Sequence, residues 1–325
     1  MPAAVILNDT STRYHHGCAR VMRLLVSGLE AAGLTISHRI PARADWTRDA
    51  AALAALRSAQ VIVINGEGTL HDGAPAGERL LSVLDAAPGV PVALVNALWE
   101  NNPPAWDAAL SRMALRAARD SRSASAMSAV APTRWLPDLS LSAPAHTAPT
   151  QRAGLIVGDS VRLDRRRDLA CAAQRLGATY LPTKTLHHPL WRLAPARALL
   201  WRAYNGVWSG PVPPFDMAPD ESTYLARLAA AQGHISGRFH AVCLSMLTET
   251  PFFALASTTS KVETLLRDAG LGTDRLISPP DLARLTPDQA PPPMTPPEKD
   301  AQRAFRHRAE TEATRLFTDI RGLAA

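Results

Sequence analysis

Short apolar runs alternate with amphipathic stretches along most of the chain. Ala3–Leu7 reads as a strand. Cys18, Val21, Met22, Leu25 and Leu29 then recur at helical spacing, and Gly33 stops that helix. Leu34–Ile40 returns as a strand, Val61–Ile64 is apolar throughout, and Val90–Asn96 is a further strand. A continuous apolar run is what a strand covered on both faces requires. The alternation predicts an α/β chain with parallel sheets. Composition shifts to Pro, Ser, Thr and Ala over Leu141–Arg152, which reads as a linker. A second α/β series follows: Gly154–Gly158, Ala178–Leu181, Gly233–Ser236, Pro251–Ala256 and Arg275–Ser278. A proline-rich stretch, Pro279–Pro297, leads to a charged helix from about Glu298 to Ile320. The expected organisation is two Rossmann-like domains facing a cleft, over residues 1–142 and 153–296. A linker at 143–152 joins them, and a terminal helix occupies 297–325.

Composition narrows the function classes. The 325 residues suffice for two domains, and a hydrophobic content of 46% is that of a soluble globular protein. The net charge of +6 suits an anionic substrate or an anionic surface. Its densest basic run, Arg165-Arg166-Arg167, is flanked by Asp164 and Asp168. No zinc finger, RNA-recognition signature or basic tail is present, so no nucleic-acid partner is expected. Cys18, Cys171 and Cys243 are too dispersed for metal-ligand spacing and read as buried, reduced thiols on helices. The first residues lack a signal-peptide pattern, and no run reaches the ~20 apolar residues of a membrane span. A cytoplasmic protein is expected. The segment containing His187, His188, Trp191, Arg192, Arg197, Trp201, Arg202, Tyr204 and Trp208 interleaves basic and aromatic residues. It could touch the inner membrane face, cover a cleft and stack on a sugar, or pack as a helix through its Trp faces.

The candidate chemistry lies in loops at predicted strand ends, where doubly wound sheets bind ligands. Ser236-Gly237-Arg238-Phe239-His240 joins a strand to a short apolar helix. Gly237 permits a sharp turn, Arg238 offers a planar fork of donors, and His240 exchanges protons near neutral pH. Downstream, Ser257–Lys261 leads into Ser260-Lys261-Val262-Glu263, which has capping-box form and places Lys261 in a first helical turn. Together they predict a site for a small, doubly charged anion bearing phosphate and carboxylate. Arg238, Lys261, Ser236, Gly237 and Ser260 would bind it, with His240 as the acid.

Three loops of the first domain are candidate acceptor contacts. Asn8–Gly17 contains Asp9, Thr10, Ser11, Arg13, His15 and His16 but no dinucleotide-binding glycine fingerprint. Adjacent His15 and His16 point apart, so no metal is expected. Asn65-Gly66-Glu67-Gly68-Thr69 follows the most apolar strand, and its Glu67 could act as base on a sugar hydroxyl. Trp99, in Ala97–Asn102, is a candidate sugar platform. The acceptor residues are thus His16, Gly66, Gly68, Thr69 and Trp99.

These segments together resemble the polysaccharide pyruvyl transferase family. The resemblance rests on His16-Gly17, Asn65–Leu70, Arg119-Asp120-Ser121-Arg122-Ser123 and Pro137-Asp138. It is most specific over Ser236–His240, Pro251-Phe252-Phe253 and Lys261-Val262-Glu263. It implies a fold similar to B-type glycosyltransferases, phosphoenolpyruvate as donor, and a sugar diol on a glycan or lipid-linked sugar as acceptor. No further cofactor is implied. The product would be a pyruvate ketal on a cell-surface polysaccharide, with Arg238 and His240 holding or protonating the donor. The same Arg, His and Lys set suits a glycosyltransferase using a nucleotide-activated, acidic sugar. A glycan-binding subunit without turnover is the third reading.

Overall fold

A computed structural model describes residues 1–145, 151–184, 193–256 and 259–325. The chain divides into two compact units. One comprises Met1–Arg13, Ala19–Ala143 and Arg306–Ala325, and the other Tyr14–Cys18 and Pro144–Phe305.

The first unit holds β1 (Ala3–Asp9), β2 (Thr35–Pro41), β3 (Val61–Asn65), β4 (Leu70–His71), β5 (Val92–Ala97), β6 (Trp99–Glu100), β7 (Leu115–Ala118) and β8 (Arg134–Trp135). Six of these form a parallel sheet in the order β2-β1-β3-β5-β7-β8, and β4 pairs with β6. Alternate residues of the central strands enter opposite cores. Val5, Leu7, Ile62, Ile64 and Leu94 face one, and Ala4, Ile6, Val61, Val63 and Val95 face the other. The apolar runs follow from this double coverage. The final helix, Pro296–Leu323, lays Leu316, Phe317 and Ile320 into the second of these cores. A β-carbon on Gly28 would lie 2.1 Å from the Phe317 ring, so the glycine lets that ring pack directly against the helix His16–Ala31.

The second unit holds β9 (Leu155–Ser160), β10 (Thr179–Tyr180), β11 (Gly233–Gly237) and β12 (Phe252–Ala254). They form a parallel sheet in the order β10-β9-β11-β12 around Val157, Leu169, Tyr180, Trp201 and Ile235. In each sheet the strand order reverses beside its first strand, between β1 and β3 and between β9 and β11. Such a reversal opens a crevice at the carboxyl ends of the strands.

Several sequence expectations change. Arg275–Ser278 is not a strand: Thr273–Arg275 is a 3-10 turn, and Leu276 makes one isolated bridge to Ala254. The reason is Arg275, which is buried and turns its guanidinium onto Glu298 (2.9 Å) and the Pro292 carbonyl (2.7 Å). The proline-rich stretch is partly helical, because Ser278 caps Pro279–Arg284. Cys18 and Cys243 are buried, whereas Cys171 is exposed. Of the basic and aromatic segment, His187, His188, Trp191 and Arg192 lie outside the described residues, as do linker residues 146–150. Its helix, Ala194–Asn205, buries Trp201 edge-on to Tyr180, with ring centres 6.0 Å apart. Trp208 is exposed. Among the described residues, no helix is long and apolar enough to cross a membrane.

Candidate active site

The second unit's crevice is built on one buried carboxylate that the sequence reading missed. Asp159, near the end of β9, is fully buried. Its Oδ1 accepts from the Thr183 N–H at 2.9 Å. Its Oδ2 accepts from Tyr204 Oη at 2.7 Å and from Arg238 Nε and Nη2 at 2.9 and 2.6 Å. Arg238 Nη2 also donates to Tyr204 Oη at 3.0 Å, and Arg166 lies over the Tyr204 ring at 4.3 Å. Burial opposes ionisation of Asp159, but the Arg238 charge and the donated hydrogen bonds outweigh it and hold its pKa below the usual carboxylate value. Burial likewise opposes the Arg238 charge, and Asp159 reverses the balance, so its pKa is raised. Tyr204 is pushed up to about 12 by burial and by Asp159. Arg238 is therefore charged but already neutralised, and is not the uncompensated cation the sequence suggested.

The backbone beside this hub explains the small residues. Ser236 Oγ donates to the Asp159 carbonyl at 3.1 Å. A β-carbon on Gly237 would lie 2.7 Å from Ser160 Oγ, so close strand packing, not a sharp turn, demands that glycine. Arg238 opens the helix Phe239–Leu247 but turns its side chain onto Asp159 and does not cap that end. His240 lies buried in its first turn.

His16 belongs to this unit and not to the acceptor loop of the first. Its N–H donates to the Thr183 carbonyl at 3.1 Å, and its ring stacks on Tyr224 at 4.6 Å. Burial lowers its pKa to about 4, against the pull of Asp220, Glu221 and Asp159. Tyr224 Oη and Thr183 Oγ1 share a hydrogen bond of 3.1 Å, which ties the stack back to the residue that donates to Asp159. Gly17 follows because a β-carbon there would lie 2.2 Å from His240 Cβ. His15 meets His240 edge-on, with ring centres 5.4 Å apart. The ligand atoms of His15, Cys18 and His240 all lie within 4.8 Å of one another, a thiol and imidazole set of the kind that holds zinc. Adjacency in the sequence sets His15 only against His16, whereas the fold joins His15 to Cys18 and to a distant histidine.

Lys261 is half-buried at the start of the helix Lys261–Asp268, which follows β12, the neighbour of β11. Ser260 precedes it without the side-chain cap that the capping-box reading required. Its backbone (φ −72, ψ 8) is outside the extended region an N-cap adopts. Ser257 and Thr258 lie outside the described residues.

The first unit's crevice gathers left-handed, non-glycine residues at the ends of β1, β3 and β5: Asn8 (φ 69), Glu67 (φ 32) and Asn96 (φ 53). Such strain persists only where surrounding bonds over-determine it. Glu67 is buried, and its Oε2 accepts from Thr10 Oγ1 and from Asn65 Nδ2. Asn8 Nδ2 donates to the Asn65 carbonyl at 2.6 Å and to Thr69 Oγ1 at 3.2 Å. The carboxylate read as a base thus fastens two loops together. Gly66 packs against Ala97, where a β-carbon would come within 2.7 Å, and one on Gly68 would meet Arg119 at an ordinary 3.8 Å. Trp99 does not offer a sugar platform: it is buried, edge-on to Trp106 at 6.0 Å. The Arg119 and Pro137-Asp138 elements prove structural. Arg119 pairs with buried Asp138 at 3.3 Å, and Asp120 caps the helix Ser121–Ser128.

No protein-family model matches the chain, and no curated protein does. Solved structures do. An alpha-glucosyltransferase in complex with UDP and a 13-mer DNA shares 9% identity over 98% of this chain and 99% of its own, with a TM-score of 0.50. The UDP-GlcNAc 2-epimerase of Neisseria meningitidis, bound to UDP-GlcNAc, gives the same four figures. The UDP-N-acetylglucosamine 2-epimerase of Rickettsia bellii shares 9% identity over 98% and 97% of the two chains, with a TM-score of 0.52. Identities this low speak to fold alone. The chain has the α/β architecture of Rossmann-like domains of the B-type glycosyltransferases.

Proposed function

We propose that the protein is a sugar transferase of the B-type glycosyltransferase fold that takes a nucleotide-activated sugar as donor. The donor would sit at the carboxyl ends of β9 and β11. The observation that carries this reading is the Asp159–Arg238–Tyr204 hub at the strand-order reversal of the second sheet. Such a hub is net neutral, with the positive end of the helix Phe239–Leu247 beside it. A helix start suits a diphosphate held through backbone N–H groups. Phosphoenolpyruvate, small and multiply charged, instead needs cations that no carboxylate has already neutralised. The similar solved structures, which carry UDP or UDP-GlcNAc, support the same class of donor. His240, which Gly17 lets the chain pack so closely, is the proton-transfer candidate.

The second reading is pyruvyl transfer from phosphoenolpyruvate to a sugar diol. It is favoured by the order Ser236–His240, Pro251-Phe252-Phe253 and Lys261, which falls on the adjacent strands β11 and β12 and on the helix after them. A thermal-shift series against uridine, cytidine and guanosine diphosphates and phosphoenolpyruvate separates the two. Ligand at about 100 times its Kd adds roughly 2.7 kcal/mol. Stabilisation by one nucleotide, with release of that nucleotide when its sugar donor and a glycan are supplied, is the expected result. Stabilisation by phosphoenolpyruvate alone, with phosphate release, overturns it in favour of pyruvyl transfer. Glycan binding without any donor effect leaves a binding subunit.

A further inference from the structure

The first unit carries a pocket, its apolar wall studded with polar groups, that plays no part in donor binding. It opens beside the ends of β1 and β2 and is lined by Asn8, Arg13, Arg43, Trp46, Thr69 and Arg79, among others. None of its three arginines forms an ion pair with a carboxylate among the described residues. The acidic groups around it are already engaged: Asp9 pairs with Arg39 at 2.8 Å, Glu67 accepts from Thr10 and Asn65, and Asp45 accepts from Thr47. Arg13 Nη2 donates to Thr69 Oγ1 at 3.4 Å, while its Nε is buried with no hydrogen-bond partner among the described residues. Trp46 is 2% exposed, and its indole N–H is also buried without a partner among the described residues. Both unfilled polar atoms in this lining are donors. Arg43 is held at φ 71, a left-handed conformation that a residue other than glycine adopts at a cost. Unspent donors, excess positive charge and a strained arginine in one pocket are complementary to an anion.

We propose that this pocket is an anion subsite for a phosphate or carboxylate carried by the sugar acceptor. Its assignment to the acceptor rests on the transferase reading, whereas anion binding itself does not. A diphosphate linking a sugar to a carrier and the carboxylate of an acidic sugar share the required chemistry.

The test is calorimetric titration of the full chain with inorganic pyrophosphate, glucuronate and glucose. It is run on the wild type, Arg13→Gln, Arg79→Gln and Arg43→Gly, the last of which keeps the backbone conformation without strain. Pyrophosphate or glucuronate should bind and glucose should not, and each substitution should weaken binding about ten-fold with the melting temperature retained. Preference for pyrophosphate supports a phosphate-bearing acceptor, and preference for glucuronate supports an acidic sugar. Equal binding to wild type and variants overturns the proposal, as does no binding of either anion. The donor thermal shift is measured on the same variants. A retained shift keeps the two sites separate. Anion binding that depends on the arginines, in a protein no donor stabilises, upholds the subsite and overturns the transferase reading alone.

Discussion

Replacing Arg238 with alanine tests whether the hub is structural as well as chemical. In the wild type, Asp159 is fully buried and receives four donated hydrogen bonds, two of them from Arg238. The substitution removes half of those bonds and all of the countercharge, leaving a buried carboxylate facing Tyr204 and the Thr183 N–H. Breaking a buried pair from one side costs about 3–5 kcal/mol. Asp159→Ala should cost a similar amount, since it strands a guanidinium that is 13% exposed. The double variant should lose less than the sum of the two, with a coupling on the order of 2–3 kcal/mol. The pH dependence carries a second signature. Asp159 has a lowered pKa in the folded wild type, so its contribution is present above the unfolded value and lost as pH falls through the folded one. In Arg238→Ala burial is no longer opposed by the cation, and the folded pKa rises above the unfolded one. Its stability deficit is then largest at neutral pH and shrinks as pH falls through the raised pKa. Urea midpoints from far-UV circular dichroism at pH 7 and pH 5 measure both effects for the four proteins. A single-variant loss below about 1 kcal/mol, or additivity of the two losses, would refute the hub. In that case any loss of donor binding on removing Arg238 reflects direct contact with the donor.

Two further perturbations probe the histidines and the glycine packed around this site. His16 and His234 are both buried, and burial lowers each pKa from 6.5 to about 4. The unfolded chain therefore binds more protons between those values, so stability is complete above pH 6.5 and falls toward pH 4, by up to about 3 kcal/mol for each histidine. A urea midpoint that stays flat from pH 7 to pH 4.5, or an unchanged slope in His234→Asn, would contradict this. Gly17→Ala lies in a helix, where alanine alone would stabilise by roughly 0.5–1 kcal/mol. The clash at 2.2 Å with His240 Cβ should instead destabilise by about 1–3 kcal/mol, and a higher melting temperature for this variant would show that the contact is not made.

What the sequence disclosed and what it hid divide along a physical line. Strands covered on both faces, such as Val61–Ile64, announce themselves because every position must be apolar, and the α/β class follows from them. Strand ends announce themselves through polar loops, which is why Ser236–His240 and Asn65–Thr69 could be singled out. Partners could not be read. Arg238 and Asp159 are 79 residues apart, and no local spacing links them. One clue was present: Asp159 closes the apolar run of β9 four residues before the helix Leu163–Leu176, at the position equivalent to Ser236-Gly237 on β11. A charge tolerated in a strand that is otherwise apolar implies a buried countercharge, and an arginine at the end of the neighbouring strand is the nearest candidate. The reverse error came from reading residue type without burial. Trp99 looked like a sugar platform because its loop is polar, yet its side chain turns inward onto Trp106 and holds that loop in shape. In a crevice of this kind, then, the residues that can meet a ligand are those whose donors the fold leaves unspent. In the first unit's pocket that criterion selects Arg13 and Trp46, with Arg43 and Arg79 beside them, all outside the glycine loop that dominated the sequence pattern.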